Sequence, residues 1–238
     1  MQAIILAGGK GTRLKPYTAV FPKPLVPVGN CPILEIMIRQ LARFGVERVT
    51  ISTGHLGELI EAYFGNGSRW NVNIEYVRED VPLNTAGALK LVKNCEEDFL
   101  VMNGDILTDL DFRVLFSQHR SKNVMATVAT RVRETMIDFG VVETDAEGLL
   151  VGYREKPVYT FPVSMGVYVL NRRCRDLIAD GESLGMPDLL LRMVNSGWKV
   201  FCYQSDAYWL DIGRVDDYEH AQEEYEANKN FFSAKSGR

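Results

Sequence analysis

The residues with chemical potential in this chain stand at the ends of apolar runs. Gly8, Gly9 and Gly11 follow the run Gln2–Leu6, and Thr12 and Arg13 come next in LAGGKGTR. Glycines let backbone N–H groups approach an anion closely, and an arginine fork can bind two phosphate oxygens at once. A tight turn between strand and helix would show the same glycines, so the pattern alone is divided between turn and phosphate cradle. Neither the GxxxxGK[ST] order of a P-loop nor the GxGxxG spacing of a dinucleotide fold is present. Lys23 lies between prolines in FPKPL. Proline on each side restricts the backbone, so this ammonium can be held in one direction, although a lone Pro-Lys-Pro also fits an ordinary surface loop. Asp105 follows Asn103 and Gly104 in VMNGD, and Asp211 stands in WLDIG. A carboxylate just past a buried strand suits Mg²⁺, a hard cation that takes few protein carboxylates and completes its shell with water and phosphate. Taken singly, each aspartate reads first as a helix cap or turn residue. Glu155 and Lys156 in YREKP pair an acid with a base, which in isolation reads as a solvated face.

Such residues need a frame to bring them together. The run Gln2–Leu6 is almost continuously apolar and closed by glycines, the pattern of a strand buried on both faces of a parallel sheet. Pro32, then Leu34, Met37, Ile38, Leu41 and Phe44 at three- and four-residue spacing, then Gly45, predict an amphipathic helix with a glycine stop. The alternation continues with a strand at Val46–Thr53, a helix at Leu56–Phe64, a strand at Asn73–Val77, a helix at Thr85–Asn94 and a strand at Asp98–Asn103. Strands alternating with helices imply right-handed crossovers and a doubly wound sheet. Ligands of such sheets bind beyond the carboxyl ends of the strands, where Gly8 and Asp105 fall. After Ser121 the pattern changes: VMATVAT, FGVVETDAEGLLVGYREK and FPVSMGVYVLN read as strands, with a hairpin turn at Asp145–Gly148. Helices at Arg172–Ala179, Pro187–Val194 and Val215–Ala227, and a strand at Lys199–Gln204, complete an α/β fold with a mixed, mainly parallel sheet. One domain over residues 1–227 is expected, with a flexible tail at 228–238.

The bulk composition narrows the partners. A net charge of −4 over 238 residues gives no global attraction to nucleic acid or to an anionic membrane, so a bound polyanion must meet a local cluster of cations. The four cysteines show no CxxC spacing and there are three histidines, which suggests neither a zinc site nor a disulfide framework. The N-terminal apolar run is too short for a signal peptide, and no stretch approaches the roughly 18 apolar residues of a membrane span. A cytoplasmic protein is therefore expected, with no nucleic-acid or membrane partner. Assembly into a homo-oligomer stays open.

Read in order, LAGGKGTRLKPYT, FPKPL, NGD, REKP, MGVYVL and WLDIGRVDDY resemble the sugar-1-phosphate nucleotidylyltransferases from Met1 to about Tyr225. The similarity is greatest to the mannose- and heptose-1-phosphate guanylyltransferase branch. This resemblance implies a Rossmann-like three-layer sandwich, the nucleotide-diphospho-sugar transferase fold. It implies the reaction NTP + sugar 1-phosphate ⇌ NDP-sugar + pyrophosphate, by in-line attack without a covalent enzyme intermediate. Leu6, Ala7, Gly8 and Gly9 would line the nucleotide, Gly11, Thr12 and Arg13 would cradle the leaving phosphates, and Lys23 would neutralise charge on the α-phosphate. Arg13 and Lys23 are thus the implied catalytic residues, and Asp105 and Asp211 the implied Mg²⁺ ligands. Pro82, Asn84, Thr85, Gly87 and Asn103 would complete the nucleotide site, and Gly140, Glu155, Lys156 and Gly166 would contact the sugar and its phosphate. Phosphoryl-type transfer needs positioning and charge stabilisation more than covalent chemistry, and these groups are suited to supply both.

One segment departs from the family pattern. The base loop commonly reads PLGTAG, and here it is PLNTAG, Pro82 to Gly87. Asparagine tolerates a left-handed backbone better than other non-glycine residues, so the loop can keep its shape while its side chain stands near the base. Larger relatives carry a left-handed β-helix after the catalytic domain, and a stand-alone catalytic domain is expected here. Uridylyl- and cytidylyltransferases acting on other sugar, polyol or alcohol phosphates share much of the same text. A catalytically silent nucleotide-sugar sensor is the non-enzymatic alternative, disfavoured by the retention of Arg13, Lys23, Asp105 and Asp211. A glycosyltransferase using Asp109 and Asp111 would leave GGKGTR without a purpose.

Overall fold

In chain order the strands of the first half are β1 (Gln2–Ala7), β2 (Pro27–Val28), β3 (Cys31–Pro32), β4 (Arg48–Thr53), β5 (Asn73–Arg78), β6 (Asp98–Asn103) and β7 (Ile106–Thr108). Those of the second half are β8 (Ala126–Met136), β9 (Val141–Thr144), β10 (Leu150–Arg154), β11 (Val158–Asn171), β12 (Val200–Gln204) and β13 (Trp209–Asp211). The helices are α1 (Ile33–Arg43), α2 (Gly57–Phe64), α3 (Asn84–Gly87), α4 (Phe112–Lys122), α5 (Met186–Asn195) and α6 (Val215–Ala227). This computed structural model describes residues 1–9, 11–14 and 17–227, so the tail expected at 228–238 lies outside the described residues.

The alternation of β1 explains the layering. Ala3, Ile5 and Ala7 point into one apolar cluster with residues of α1, α2, α4 and α6, and Ile4 points into a second with residues of α3 and α5. Neighbouring β6 divides in the same way, Leu100 and Met102 to the first side and Phe99 and Val101 to the second. Successive strand residues face opposite sides of a sheet, so two apolar clusters demand two helical layers. The result is the expected three-layer sandwich. Its seven-stranded sheet has the order β12-β8-β11-β6-β1-β4-β5, and β11 alone runs against the other strands.

Most predicted elements are present within a residue or two, β8 runs six residues past the predicted VMATVAT and β11 starts three residues before FPVSMGVYVLN, and three helical segments differ for physical reasons. The helix expected over Thr85–Asn94 is a single α-turn, α3, followed by a 3-10 turn at Ala88–Leu91. Ala86 and Gly87 give their N–H groups to the carbonyl of Leu184, at 2.8 and 3.1 Å, so tertiary bonding takes donors a longer helix would use. The segment Arg172–Ala179 is a 3-10 helix over Arg172–Leu177, opened by Arg172 N–H donating to the Glu97 carbonyl across the sheet edge. Helix α4 lies where no helix was predicted. It is capped by Asp111, whose carboxylate accepts from the N–H of Arg113 and Val114, and it buries Phe112, Leu115, Phe116 and His119. Asp111 therefore has a capping role, which weakens any reading of Asp109 and Asp111 as a metal pair.

Two features of the second half position chemistry. The short antiparallel pair β7–β13 sets Asp211 opposite Ile106, the residue after Asp105. Strands β8 and β11 remain paired from Thr130↔Ser164 out to Met136↔Val158 and, with the β9–β10 hairpin between them in sequence, form an arm. The expected hairpin turn is there: Asp145 accepts from the N–H groups of Glu147 and Leu149, both at 2.9 Å, and Gly148 has φ +84°. No helix among the described residues is long and apolar enough to cross a membrane.

Candidate active site

Strands β1, β4, β5 and β6 are parallel, so their carboxyl ends open on one edge. There Gly104 N–H donates to the Leu6 carbonyl at 2.9 Å, holding the loops after β6 and β1 side by side. A side chain at Gly104 would place its Cβ 2.9 Å from the same oxygen, so only glycine permits this approach. Between the loops lies a cleft of about 250 Å³ lined by Leu6, Gly8, Gly9, Glu79, Pro82, Asn84, Thr85, Asn103 and Asp105. A recess of about 520 Å³ shares Gly8, Gly9, Glu79 and Pro82 and extends over Gly54, His55, Arg78 and Asp80. A third, smaller space is bounded by Ala7, Lys23, Pro24 and Asp105.

Charge converges at the Asp105 end. Lys23 starts a 3-10 turn behind extended Pro22 and is buried, and its ammonium forms an ion pair with Asp105 Oδ2. The restriction by flanking prolines thus ends in a fixed direction, as the sequence suggests. Asp105 Oδ1 is buried with no hydrogen-bond partner. A buried carboxylate oxygen left unsatisfied is costly, and a hard cation at that atom would satisfy it. The second carboxylate is near: Ile212 N–H donates to the Asp105 carbonyl at 3.0 Å, immediately after Asp211. Partial desolvation, and then the Asp105 charge, raise the Asp211 carboxyl from its ordinary value, while Lys23 and Arg13 act in the opposite sense. Two neighbouring carboxylates, one with a buried oxygen that lacks a hydrogen-bond partner, fit a divalent cation completed by water and phosphate.

Arg13 reaches the same place from the first loop. It lies in the 3-10 turn Thr12–Leu14, and a Cβ built on Gly213 would come within 3.8 Å of its Nη1. Gly11 has φ +60°, and a side chain there would press on Thr18 Cγ2 at 3.0 Å and Lys23 Cβ at 3.1 Å. The glycine loop is therefore packed against the lysine it was predicted to accompany.

The other wall of the cleft is PLNTAG. Asn84 has φ +63°, the left-handed conformation expected of asparagine at a glycine position, and its Oδ1 accepts from Thr85 N–H at 2.9 Å. Thr85 Oγ1 accepts from Met186 N–H at 2.7 Å, and a Cβ on Gly87 would lie 2.2 Å from the Glu182 carbonyl oxygen. Glu79 is a site residue that sequence reasoning missed. Its carboxylate accepts from Ser52 Oγ at 2.8 Å and from Leu83 N–H at 3.0 Å, and a Cβ on Gly8 would meet its Oε1 at 2.4 Å. It ties the base loop to the ends of the parallel strands. The signal available was an acidic residue just after a strand and three residues before Pro82.

A family model described as nucleotidyl transferase matches residues 2–228. The chain belongs to this family. It is 34% identical over 227 residues to the D-glycero-alpha-D-manno-heptose 1-phosphate guanylyltransferase of Aneurinibacillus thermoaerophilus, covering 94% of this chain and 98% of that protein. It is also 34% identical over 238 residues to the UTP–glucose-1-phosphate uridylyltransferase of a Synechocystis species, where 92% of this chain covers 61% of the relative's length. HddC from Yersinia pseudotuberculosis, solved in complex with GMP-PN, superposes with a TM-score of 0.72 over 94% of this chain and 99% of that one, at 23% identity, a likeness of fold.

Within this member of the nucleotidyl transferase family the predicted site residues separate into two groups. Leu6, Ala7, Gly8, Gly9, Lys23, Pro82, Asn84, Thr85, Asn103 and Asp105 line the clefts, with Gly11, Thr12, Arg13, Gly87 and Asp211 beside them. Gly166 joins them from the bulge in β11, where φ is +69° and a Cβ would lie 2.7 Å from Asn103 Nδ2. Gly140, Glu155 and Lys156 lie on the arm. Glu155 and Lys156 are exposed, Lys156 Nζ pairs with Asp138 Oδ1 at 3.1 Å, and Gly140 packs against the Tyr153 ring. None of the three is among the residues lining the clefts described above.

The left-handed backbone at Asn84 gives a direct test. Asn84→Gly should leave unfolding stability nearly unchanged, whereas Asn84→Val should lower it by roughly 1–2 kcal/mol, because a β-branched side chain is strained there. Urea unfolding of both variants measures the difference, and an unaffected valine variant would mean the loop does not need this conformation.

Proposed function

We propose that residues 1–227 act as one catalytic domain that transfers a nucleoside monophosphate from an NTP to a sugar 1-phosphate. An oxygen of the sugar phosphate forms a bond to the α-phosphorus as the bond to the bridging oxygen breaks, and pyrophosphate leaves with that electron pair. The observation that carries the reading is the meeting of Arg13, Lys23, Asp105 and Asp211 at one end of a cleft whose other walls are Gly8, Gly9 and the Asn84 loop. Arg13, held over Gly213, offers a two-pronged donor to the departing phosphates. Lys23 presents a buried, aimed cation to the phosphorus as negative charge grows on its oxygens, where a low-dielectric setting strengthens the interaction. Asp105 and Asp211 would hold Mg²⁺, whose contribution when bound is to neutralise phosphate charge. Glu79 and Asn84 orient the loop that faces the base.

GTP with mannose 1-phosphate or heptose 1-phosphate is the favoured substrate pair, supported by the guanylyltransferase motifs and by the heptose 1-phosphate guanylyltransferase relative covered over 98% of its length. The uridylyltransferase relative supports UTP with a hexose 1-phosphate as the second reading. A matrix of the four common NTPs against mannose, heptose, glucose and polyol phosphates, read by pyrophosphate release, decides between them. Silence across the matrix, with nucleotide still bound, would favour a sensor over an enzyme. The reaction is assigned to the cytoplasm, where NTPs are made.

The arm suits a second copy of this chain. Met136, Phe139, Leu149, Leu150, Val151 and Tyr153 are each more than 60% exposed. Large apolar side chains left open on a two-stranded arm are the kind of surface that a partner covers. Light scattering at micromolar concentration should show a dimer that Phe139→Asp with Leu150→Asp converts to a monomer. A monomeric parent protein would refute the assignment.

A further inference from the structure

A second charged recess lies at the opposite edge of the sheet. Lys90, Arg172, Arg173, Arg175 and Asp176 line a pocket of about 260 Å³. Arg172 donates its N–H to the Glu97 carbonyl at 2.7 Å, directly before β6 begins, whereas Asn103 and Asp105 stand where β6 ends. The six residues of β6 put roughly 20 Å between the two sites.

The cations here are oriented largely by backbone carbonyls and an aromatic ring. Arg175 Nε donates to the Leu89 carbonyl at 3.0 Å and its Nη2 to the Lys90 carbonyl at 3.3 Å, while Lys90 Nζ donates back to the Arg175 carbonyl at 3.2 Å. The Arg173 guanidinium lies 5.5 Å from the centre of the Trp198 ring. Lys90 has one carboxylate neighbour, Asp180 at 3.7 Å, itself 93% exposed. Among the described residues no ion pair joins a carboxylate to Arg172, Arg173 or Arg175. A knot of four cations facing two aspartates, in a chain of net charge −4, repels itself when empty and concentrates anions at its mouth. Arginine forks match the geometry of phosphate oxygens.

The pocket is also joined to the cleft. Lys90 belongs to the 3-10 turn Ala88–Leu91, which continues without a break from α3 and its Asn84. An anion that draws Lys90 Nζ away from the Arg175 carbonyl acts on the turn that ends the base loop.

We propose that this pocket binds the phosphate of a small phosphorylated ligand, either inorganic phosphate or a phosphate monoester, and that its occupancy changes the affinity of the cleft for nucleotide. The binding stands independently of the nucleotidyl-transfer reading, and the coupling rests on it. The test is calorimetric titration at constant ionic strength with inorganic phosphate in one arm and glucose 6-phosphate in the other. Saturable binding is expected, weakened about tenfold or more in Arg172→Glu/Arg173→Glu, with nucleotide dissociation shifted by about threefold or more by the anion in the parent alone. Tighter binding of the ester identifies a sugar phosphate as the ligand class, and tighter binding of the inorganic ion identifies free phosphate. Should the charge-reversed protein not fold, as judged by circular dichroism, Arg172→Gln/Arg173→Gln takes its place. Equal phosphate affinity in parent and arginine variant, or an affinity lost with Lys23→Ala instead, overturns the site. Phosphate binding that leaves nucleotide affinity unchanged overturns the regulatory role. A parent that binds no nucleotide at all defeats the reading of the cleft, and the phosphate titration still decides the pocket.

Discussion

Asp105→Asn should lower pyrophosphate release by about 10³-fold or more, equivalent to roughly 4 kcal/mol of transition-state stabilisation. The substitution is nearly isosteric and removes the negative charge from an oxygen that is buried and unpartnered, Oδ1, and from one that faces Lys23. Divalent metal affinity should fall with it by about tenfold or more, which titration with Mn²⁺ followed by electron paramagnetic resonance reads without any turnover. Folding is expected to survive, because the amide oxygen can still accept from the lysine. Lys23 nevertheless loses the counter-ion that its ammonium contacts directly, so urea unfolding should show a loss of roughly 1–3 kcal/mol. Near-normal release at saturating Mg²⁺ would remove Asp105 from the metal site.

Lys23→Ala is the second large effect. The lysine is buried, started on its path by extended Pro22, and aimed at Asp105 in the space that Ala7 and Pro24 enclose. A cation held there interacts most strongly with a phosphorus whose oxygens are gaining charge, so kcat should fall by about 10²–10³-fold while KM moves by only a few-fold. Lys23→Arg should rescue poorly, since a planar, delocalised fork does not reproduce the compact point charge that Lys23 aims at Asp105. A rise in KM with unchanged kcat would reduce Lys23 to a group that merely helps to hold the nucleotide.

The parts of this structure that sequence reasoning recovered are those written in local pattern. Continuous apolar runs marked β1 and β6, three- and four-residue spacing marked α1, and α6 has the predicted limits Val215–Ala227. Asn84 was readable because asparagine adopts the left-handed backbone more easily than other non-glycine residues, and three of the five such residues among those described are asparagines. Helix α4 carried a local signal too, Asp111 ahead of Phe112, Leu115 and Phe116, and was passed over beside the carboxylates around it. What stayed hidden depends on partners far along the chain. Glu79 owes its place to Ser52, 27 residues away, and the shortening of the helix after Asn84 depends on the Leu184 carbonyl. Glu155 and Lys156 were recognisable as a motif, but their setting on the arm follows from how far β8 and β11 stay paired, which no local pattern encodes.

The three-residue ladder β7–β13 has a bearing on how the protein comes into being. It fastens Asp211 beside Asp105 through pairing that spans about a hundred residues, reinforced by Thr108 Oγ1 donating to the Tyr208 carbonyl at 2.6 Å, 100 residues away. Contacts so distant in sequence form late, because the intervening chain must first be ordered. During synthesis the glycine loop, Lys23 and Asp105 would therefore leave the ribosome as an incomplete centre. Only when the segment bearing Asp211 docks does the second carboxylate arrive, so the maturation of the site coincides with the closing step of folding.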